Sequence, residues 1–194
     1  MKKTIFICCV LGFVVSGAAQ TGLRTNKTNV KKGKKMTLTI TSPAFKNNSY
    51  IPVKHACGGE DVSPELNWGA LPAGTKSAVV IMDDPDAPPG VWVHWILFDI
   101  PPSLTGLPEN IARAETFPDG SRHGRVWGVK DGDFSRTGYY GPCPSPGKPH
   151  RYFFKVYALD KLLGLPAGLT KNALLKEVQG HILAQGELIG LFKR

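Results

Sequence analysis

The chain has 194 residues, 42% hydrophobic and 20% charged, the composition of a globular protein with one domain's length of sequence. Its net charge of +9 is localised: no acid precedes Glu60, residues 20–59 carry eight Lys and Arg, and residues 60–194 carry 14 bases against 15 acids. No stretch offers the run of about 20 apolar residues that spans a bilayer, and the basic arm Arg24–Lys35 holds no aromatic residue for base stacking, so neither a membrane span nor a nucleic-acid partner is expected.

Lys2 and Lys3, the apolar run Ile5–Val15 and the small residues Ser16–Ala19 follow each other in the order of a secretory signal peptide. Cleavage is expected before Ala19 or Gln20, which makes residues 1–19 a leader and the product exported, periplasmic or secreted. Residues 20–35 then form a solvated basic arm, and residues 36–194 the domain. Cys8 and Cys9 leave with the leader, so the mature chain keeps Cys57 and Cys143.

Met36–Thr41 alternates apolar residues with threonine and predicts a half-buried strand. Ile51–His55 is a short strand candidate, and Cys57–Trp68 a loop. Leu71–Gly74 is a turn. Ser77–Met82 has no polar face after Ser77 and predicts a central strand. It leads into a stiff acidic connection, Asp83-Asp84-Pro85-Asp86, with Pro88 and Pro89 beyond. Trp92–Ile100 is the next predicted strand. Period two puts Trp92, His94, Ile96 and Phe98 on one face, and Val93, Trp95, Leu97 and Asp99 on the other.

Pro101–Pro108 ends that strand, and Glu109–Glu115 has the look of one or two helical turns. Thr116–Gly141 is a long loop, a kind that is usually functional or mobile, and its His123 is expected at the surface. The proline-dense rim Pro142–Pro149 feeds a strand over His150–Asp160, with His150, Tyr152, Phe154 and Val156 on one face. Thr170 is placed to cap a helix over about Lys171–Leu183, bent or stopped at Gly180, with His181 at its surface end. Glu187–Phe192 is the last predicted strand.

Two strands thus open on a histidine next to a proline loop, His94 and His150. A histidine in that position is either a core residue or part of a site. Two histidines, the Tyr152 phenol, the carboxylates Asp84 and Asp86, and loop amides near Gly141 and Pro142 suit a small anionic or zwitterionic group. The aspartates would keep the histidines protonated or fix their tautomers.

These residues carry a resemblance. DPDAP at 84–88 with a histidine on the next strand, and GP at 141–142 followed by HRY at 150–152, resemble the phosphatidylethanolamine-binding protein family, also called Raf-kinase-inhibitor-like. Its bacterial branch is resembled through CGGEDVSPELNW at 57–68 and GPCP at 141–144. The likeness covers about residues 37–194. It implies a mainly β (α+β) single domain with a large and a small sheet, peripheral helices, and a small anion pocket at the strand mouths. Carried over, the pocket is Asp84, Asp86, His94, Gly141, Pro142, His150 and Tyr152, with Trp92 beside it. The loop from Asp86 to Trp92 is short and lacks a tyrosine that some relatives place there, and Gly124–Gly138 is long for the bacterial branch, so lipid or kinase binding is not carried over.

The expected partner is a small phosphate- or carboxylate-bearing ligand, with no cofactor; the rim could also meet a protein. Export and the count of remaining cysteines predict a Cys57–Cys143 disulfide, against the alternative of two separate thiols. A hydrolase would need a serine nucleophile, but there is no G-x-S-x-G elbow and no serine adjoins either histidine. A metalloenzyme built on His94, His150 and an aspartate has allowed ligand types but no metal-spaced motif. A secreted protease or hydrolase inhibitor is the remaining alternative.

Overall fold

In the computed structural model, the described residues are 36–126 and 136–194. The chain divides after Gly33, and all of these residues belong to the second unit. The leader, the basic arm and part of the long loop lie outside the described residues.

The elements in order are β1 (Met36–Thr37), β2 (Ser49–Tyr50), β3 (Leu66–Asn67), β4 (Ser77–Asp84), β5 (Trp92–Ile100), β6 (Gly106–Leu107), β7 (Arg122–His123), β8 (Arg125–Val126), β9 (Arg136–Thr137), β10 (His150–Leu159), α1 (Lys171–Val178) and β11 (Ile182–Phe192). The large mixed sheet runs β1-β11-β10-β4-β5-β7, with β2 also on β11. Two-stranded pieces, β3–β6 and β8–β9, accompany it. The fold is mainly β with few helices, as the resemblance implied.

The central position of β4 explains its composition. Both of its faces are covered, and every residue from Ser77 to Asp84 is buried. Val80 and Met82 point into one core with Trp95, Leu97, Phe154 and Leu188. Val79 and Ile81 point into the other, with Ile96, Phe98, and Leu174 and Val178 from α1. Two dense cores on one sheet hold its long strands rigid at the ends where the site lies.

Several expectations need correction. The strand at Met36 pairs over only two residues, although Leu38 and Ile40 are buried as the alternation required. The Ile51–His55 strand is instead a 3-10 turn over Val53–His55, because Pro52 has no N–H to give a ladder. Glu109–Glu115 forms no helix: Asn110 has φ +62, and Ser63 takes up the Asn110 and Ile111 amides. The helix after Thr170 stops at Val178, two residues before Gly180 at φ +89, and Ile182 already belongs to β11.

The two-face reading of β5 fails in the middle. Asp83 pairs with Val93 but Met82 pairs with Trp95, so the strand carries a bulge around His94. The bulge puts Trp95 and Leu97 on the core face nearest His94, and sends Ile96 and Phe98 to the opposite core.

Candidate functional site

Asp83 and Asp84 do not belong to a solvated turn. They are the last two residues of β4 and are 1% and 3% exposed. Period two turns them to opposite faces. Asp83 meets Lys155 and Lys171 on the helix side. Asp84 faces the mouth of β5 and β10.

There Asp84 is the organising group. Its Oδ1 accepts the Asp86 N–H at 2.8 Å, which fixes the loop after β4. Its Oδ2 accepts from Nδ1 of His150 at 2.7 Å. The carboxylate therefore sets the ring orientation of His150 and leaves Nε2 as the ring's other polar atom.

His94 sits at the bulge, 3% exposed, with Nδ1 at 2.7 Å from the Tyr140 carbonyl oxygen. Burial pushes its pKa down, against smaller upward pulls from that carbonyl and the charge of Asp84. Of the two roles expected of the aspartates, keeping the histidines protonated is opposed at His94 by burial, although Asp84 still pulls its pKa up. Its ring meets Tyr152 edge to face, centroids 5.3 Å apart.

Tyr152 is fully buried; its hydroxyl makes no well-formed hydrogen bond among the described residues, although the Asp84 carboxylate is near enough to act on it as an acceptor. Burial first, then the nearby Asp84 charge, raises its pKa, so the hydroxyl keeps its proton. Buried polar atoms are rarely left unpaired.

These groups line a cavity of ≈ 210 Å³. Asp84, His94, His150 and Tyr152 form its polar wall. Ala87, Pro88, Pro89 and Trp92 close one side, and Cys143, Pro144 and Ser145 the other. That volume is below the roughly 300–1,000 Å³ of pockets for drug-sized ligands. Both proline loops are stiff, so the space is largely pre-formed.

Three expected residues do not line the cavity. Asp86 turns outward to a bidentate pair with Arg151, with Arg151 Nε to Oδ2 at 2.9 Å and Nη2 to Oδ1 at 2.7 Å. The Arg151 guanidinium holds its pKa at about 2. The Gly141 N–H donates to Asp61 Oδ1 at 2.7 Å, so this amide is already engaged. A Cβ at Gly141 would stand 2.0 Å from the His55 carbonyl oxygen, which is why glycine is required there. The Pro142 carbonyl accepts the Cys57 N–H at 3.1 Å. Gly141 and Pro142 brace the wall from behind.

One part of that brace was missed from sequence: Asp61, at φ +57, accepts from Arg113 as well as Gly141. The disulfide expected between Cys57 and Cys143 is present, with Cα atoms 5.4 Å apart, and Cys143 lines the cavity. His123, expected at the surface, is fully buried. It lies between the Trp95 indole N–H, 3.0 Å from Nε2, and the Ala114 carbonyl at Nδ1. Pairing of β7 with β5 draws it into the core, and a two-residue strand in a polar loop gives no periodicity to signal that. Among the described residues no group of three His, Cys, Asp or Glu could hold a metal ion, and no helix is long and apolar enough to cross a membrane.

Residues 41–193 match the family model for phosphatidylethanolamine-binding protein. A UPF0098 protein of Methanothermobacter thermautotrophicus is 45% identical over 157 residues, covering 81% of this chain and 99% of the relative. A UPF0098 protein of Aquifex aeolicus is 45% identical over 161 residues, covering 81% and 89%. Two crystal structures share the fold. A phosphatidylethanolamine-binding protein homologue from Chlamydia trachomatis is 37% identical with a TM-score of 0.70, covering 81% of this chain and 98% of that one. YbcL of Escherichia coli, a member of the same family, is 31% identical with a TM-score of 0.72 over the same shares. By sequence match and by fold, the chain belongs to the phosphatidylethanolamine-binding protein family.

Proposed function

We propose that this chain is an exported, non-enzymatic binding protein whose pocket takes a small phosphate- or carboxylate-bearing group. The observation that carries the reading is the Tyr152 hydroxyl, a fully buried donor on the cavity wall that makes no well-formed hydrogen bond among the described residues, with the Asp84 carboxylate close by. A ligand oxygen at the cavity would satisfy it. His150, aligned by Asp84, stands beside it as a second donor when protonated. The family's description names a ligand with a phosphate headgroup, which has the same chemistry. The volume supports a headgroup or free anion rather than a whole lipid.

Titration calorimetry with phosphate and with acetate tests this. Each of Tyr152→Phe and His150→Ala is expected to weaken binding at least tenfold, since a hydrogen bond to a charged group contributes about 1.5–3 kcal/mol. Absence of binding by the wild-type protein, or unchanged affinity in both variants, refutes the reading. The export part is tested separately by intact mass from the native host, where the product should begin near Ala19 or Gln20.

One observation favours a second reading. Ser145 lines the same cavity as the Asp84–His150 pair, so the residue types of a hydrolytic triad share one space. No hydrogen bond joins Ser145 to His150, which an activated serine would need. A nitrophenyl-ester assay on wild type and Ser145→Ala distinguishes the two; ester turnover lost in the variant would favour the hydrolase.

A further inference from the structure

We infer that Arg113 is the positioning residue of the strand-mouth site: by gripping residues 139–141 from behind the wall, it fixes the tautomer and orientation of the His94 ring. Arg113 is not among the residues that line the cavity. Its role goes beyond the anion-binding reading, and only the affinity measurement below rests on that reading.

His94 is held through the backbone of Tyr140. The Tyr140 N–H donates to the His94 carbonyl at 3.0 Å, and His94 Nδ1 lies 2.7 Å from the Tyr140 carbonyl oxygen. A carbonyl can only accept, so this contact puts the ring proton on Nδ1. The Gly141 carbonyl acts on the same ring. The buried ring therefore keeps one orientation only while these two carbonyls stay in place.

Arg113 holds that backbone at three successive residues. Its Nε donates to the Tyr139 carbonyl at 2.8 Å. Its guanidinium carbon lies 4.1 Å from the centroid of the Tyr140 ring. Its Nη2 donates to the Asp61 carbonyl at 2.7 Å and to the Asp61 carboxylate, whose other oxygen accepts the Gly141 N–H at 2.7 Å. Gly138 leaves room for the stem, since a Cβ there would stand 2.7 Å from Arg113 Cγ. Arg136 adds a second guanidinium 4.9 Å from the Tyr140 ring.

The Arg113 side chain is 40% exposed, so its ion pair with Asp61 alone would contribute little. The rigid fork is what counts. Two nitrogens at a fixed angle reach two loops at once, which the single nitrogen of lysine does not reproduce. His150 is held separately, by Asp84 on β4. Loss of Arg113 should therefore release one histidine of the site and leave the other, whereas a general loosening of the fold would disturb both.

The test reads the histidine ring nitrogens by NMR of 15N-labelled protein at pH 7.5, with phosphate affinity measured alongside by calorimetry. Wild-type His94 should show one tautomer, with the proton on Nδ1. Arg113→Ala should show a mixture of tautomers at His94, unchanged His150 signals and phosphate affinity at least threefold weaker. Arg122→Ala loses a bond to the Leu165 carbonyl and a contact with Asp99, so it should lower the melting temperature yet leave both rings and the affinity as in the wild type. A wild-type proton on Nε2 of His94 overturns the inference. So does an unchanged His94 tautomer in folded Arg113→Ala, or an equal disturbance of His94 and His150. If Arg113→Ala does not fold, Arg113→Lys is read the same way: mixed tautomers support the inference and a wild-type His94 signal overturns it. Absence of phosphate binding by the wild type refutes the anion-binding reading, and the ring signals still decide the role of Arg113.

Discussion

Removal of the Cys57–Cys143 disulfide should cost the domain a large part of its stability. The bond closes a loop with a sequence separation of 86. In the chain-entropy model, opening a loop of that length costs about 4.5 kcal/mol at 25 °C, from a constant contribution and one that grows with the logarithm of length. A domain of this size is usually stable by only about 5–15 kcal/mol. The hydrogen bonds that brace the same junction remain on reduction: Cys57 N–H to the Pro142 carbonyl, Gly141 N–H to Asp61, and Tyr139 hydroxyl to the His55 carbonyl. The protein should therefore stay folded but weakened. The assay is urea unfolding of the Cys57→Ser/Cys143→Ser variant against the oxidised wild type. With a urea slope of about 2 kcal/mol per molar, the midpoint should fall by about 2 M, and the slope should rise somewhat as the unfolded chain loses its cross-link. Because Cys143 also lines the cavity, phosphate affinity should drop with it. A midpoint shift under about 0.5 M would show that the brace, not the covalent bond, restrains the junction, and would refute the loop-entropy reasoning.

Three further outcomes follow from the geometry. Burial depresses the pKa of His123 in the folded state, so below the ordinary histidine range of about 6.5 the unfolded chain binds a proton that the folded chain refuses. Its contribution to stability is therefore complete above that range and lost as pH falls through it, and urea midpoints from pH 7.5 to 5 should decline with a slope that His123→Phe reduces; an unchanged slope counts against this. Asp86→Asn should alter phosphate affinity less than twofold and stability by about 0.2–1 kcal/mol, since its pair with Arg151 is partly exposed and outside the cavity; a tenfold loss of affinity would return Asp86 to the site. Gly141→Ala should destabilise by about 1–3 kcal/mol or more, because its Cβ meets backbone oxygen that cannot move independently, and thermal melting measures it.

The sequence by itself determined the parts whose signal is local. An unbroken apolar run made β4 central, and alternation put His150 and Tyr152 on one face of β10. Paired motifs around Asp84 and His150 identified the family and brought Asp84, Trp92, His94, His150 and Tyr152 to one cavity. Tertiary structure alone decided the rest. The bulge at His94 depends on how β4 and β5 pair, since a one-residue slip reverses every face and no single strand records its partner's register. Asp83, Asp84 and Asp86 look alike in a linear string, yet period two sends the first to lysines on the helix side and the second to the pocket, and the Asx turn aims the third at Arg151. Gly141 and Asp61 stand 80 residues apart and support the wall only through a contact that folding creates. His123 was misplaced for the same reason: its burial comes from Trp95 and Ala114, neither of them a neighbour in sequence. Residue type and spacing specify which groups are available, but burial and pairing between distant segments fix which of them carry charge and which face the cavity.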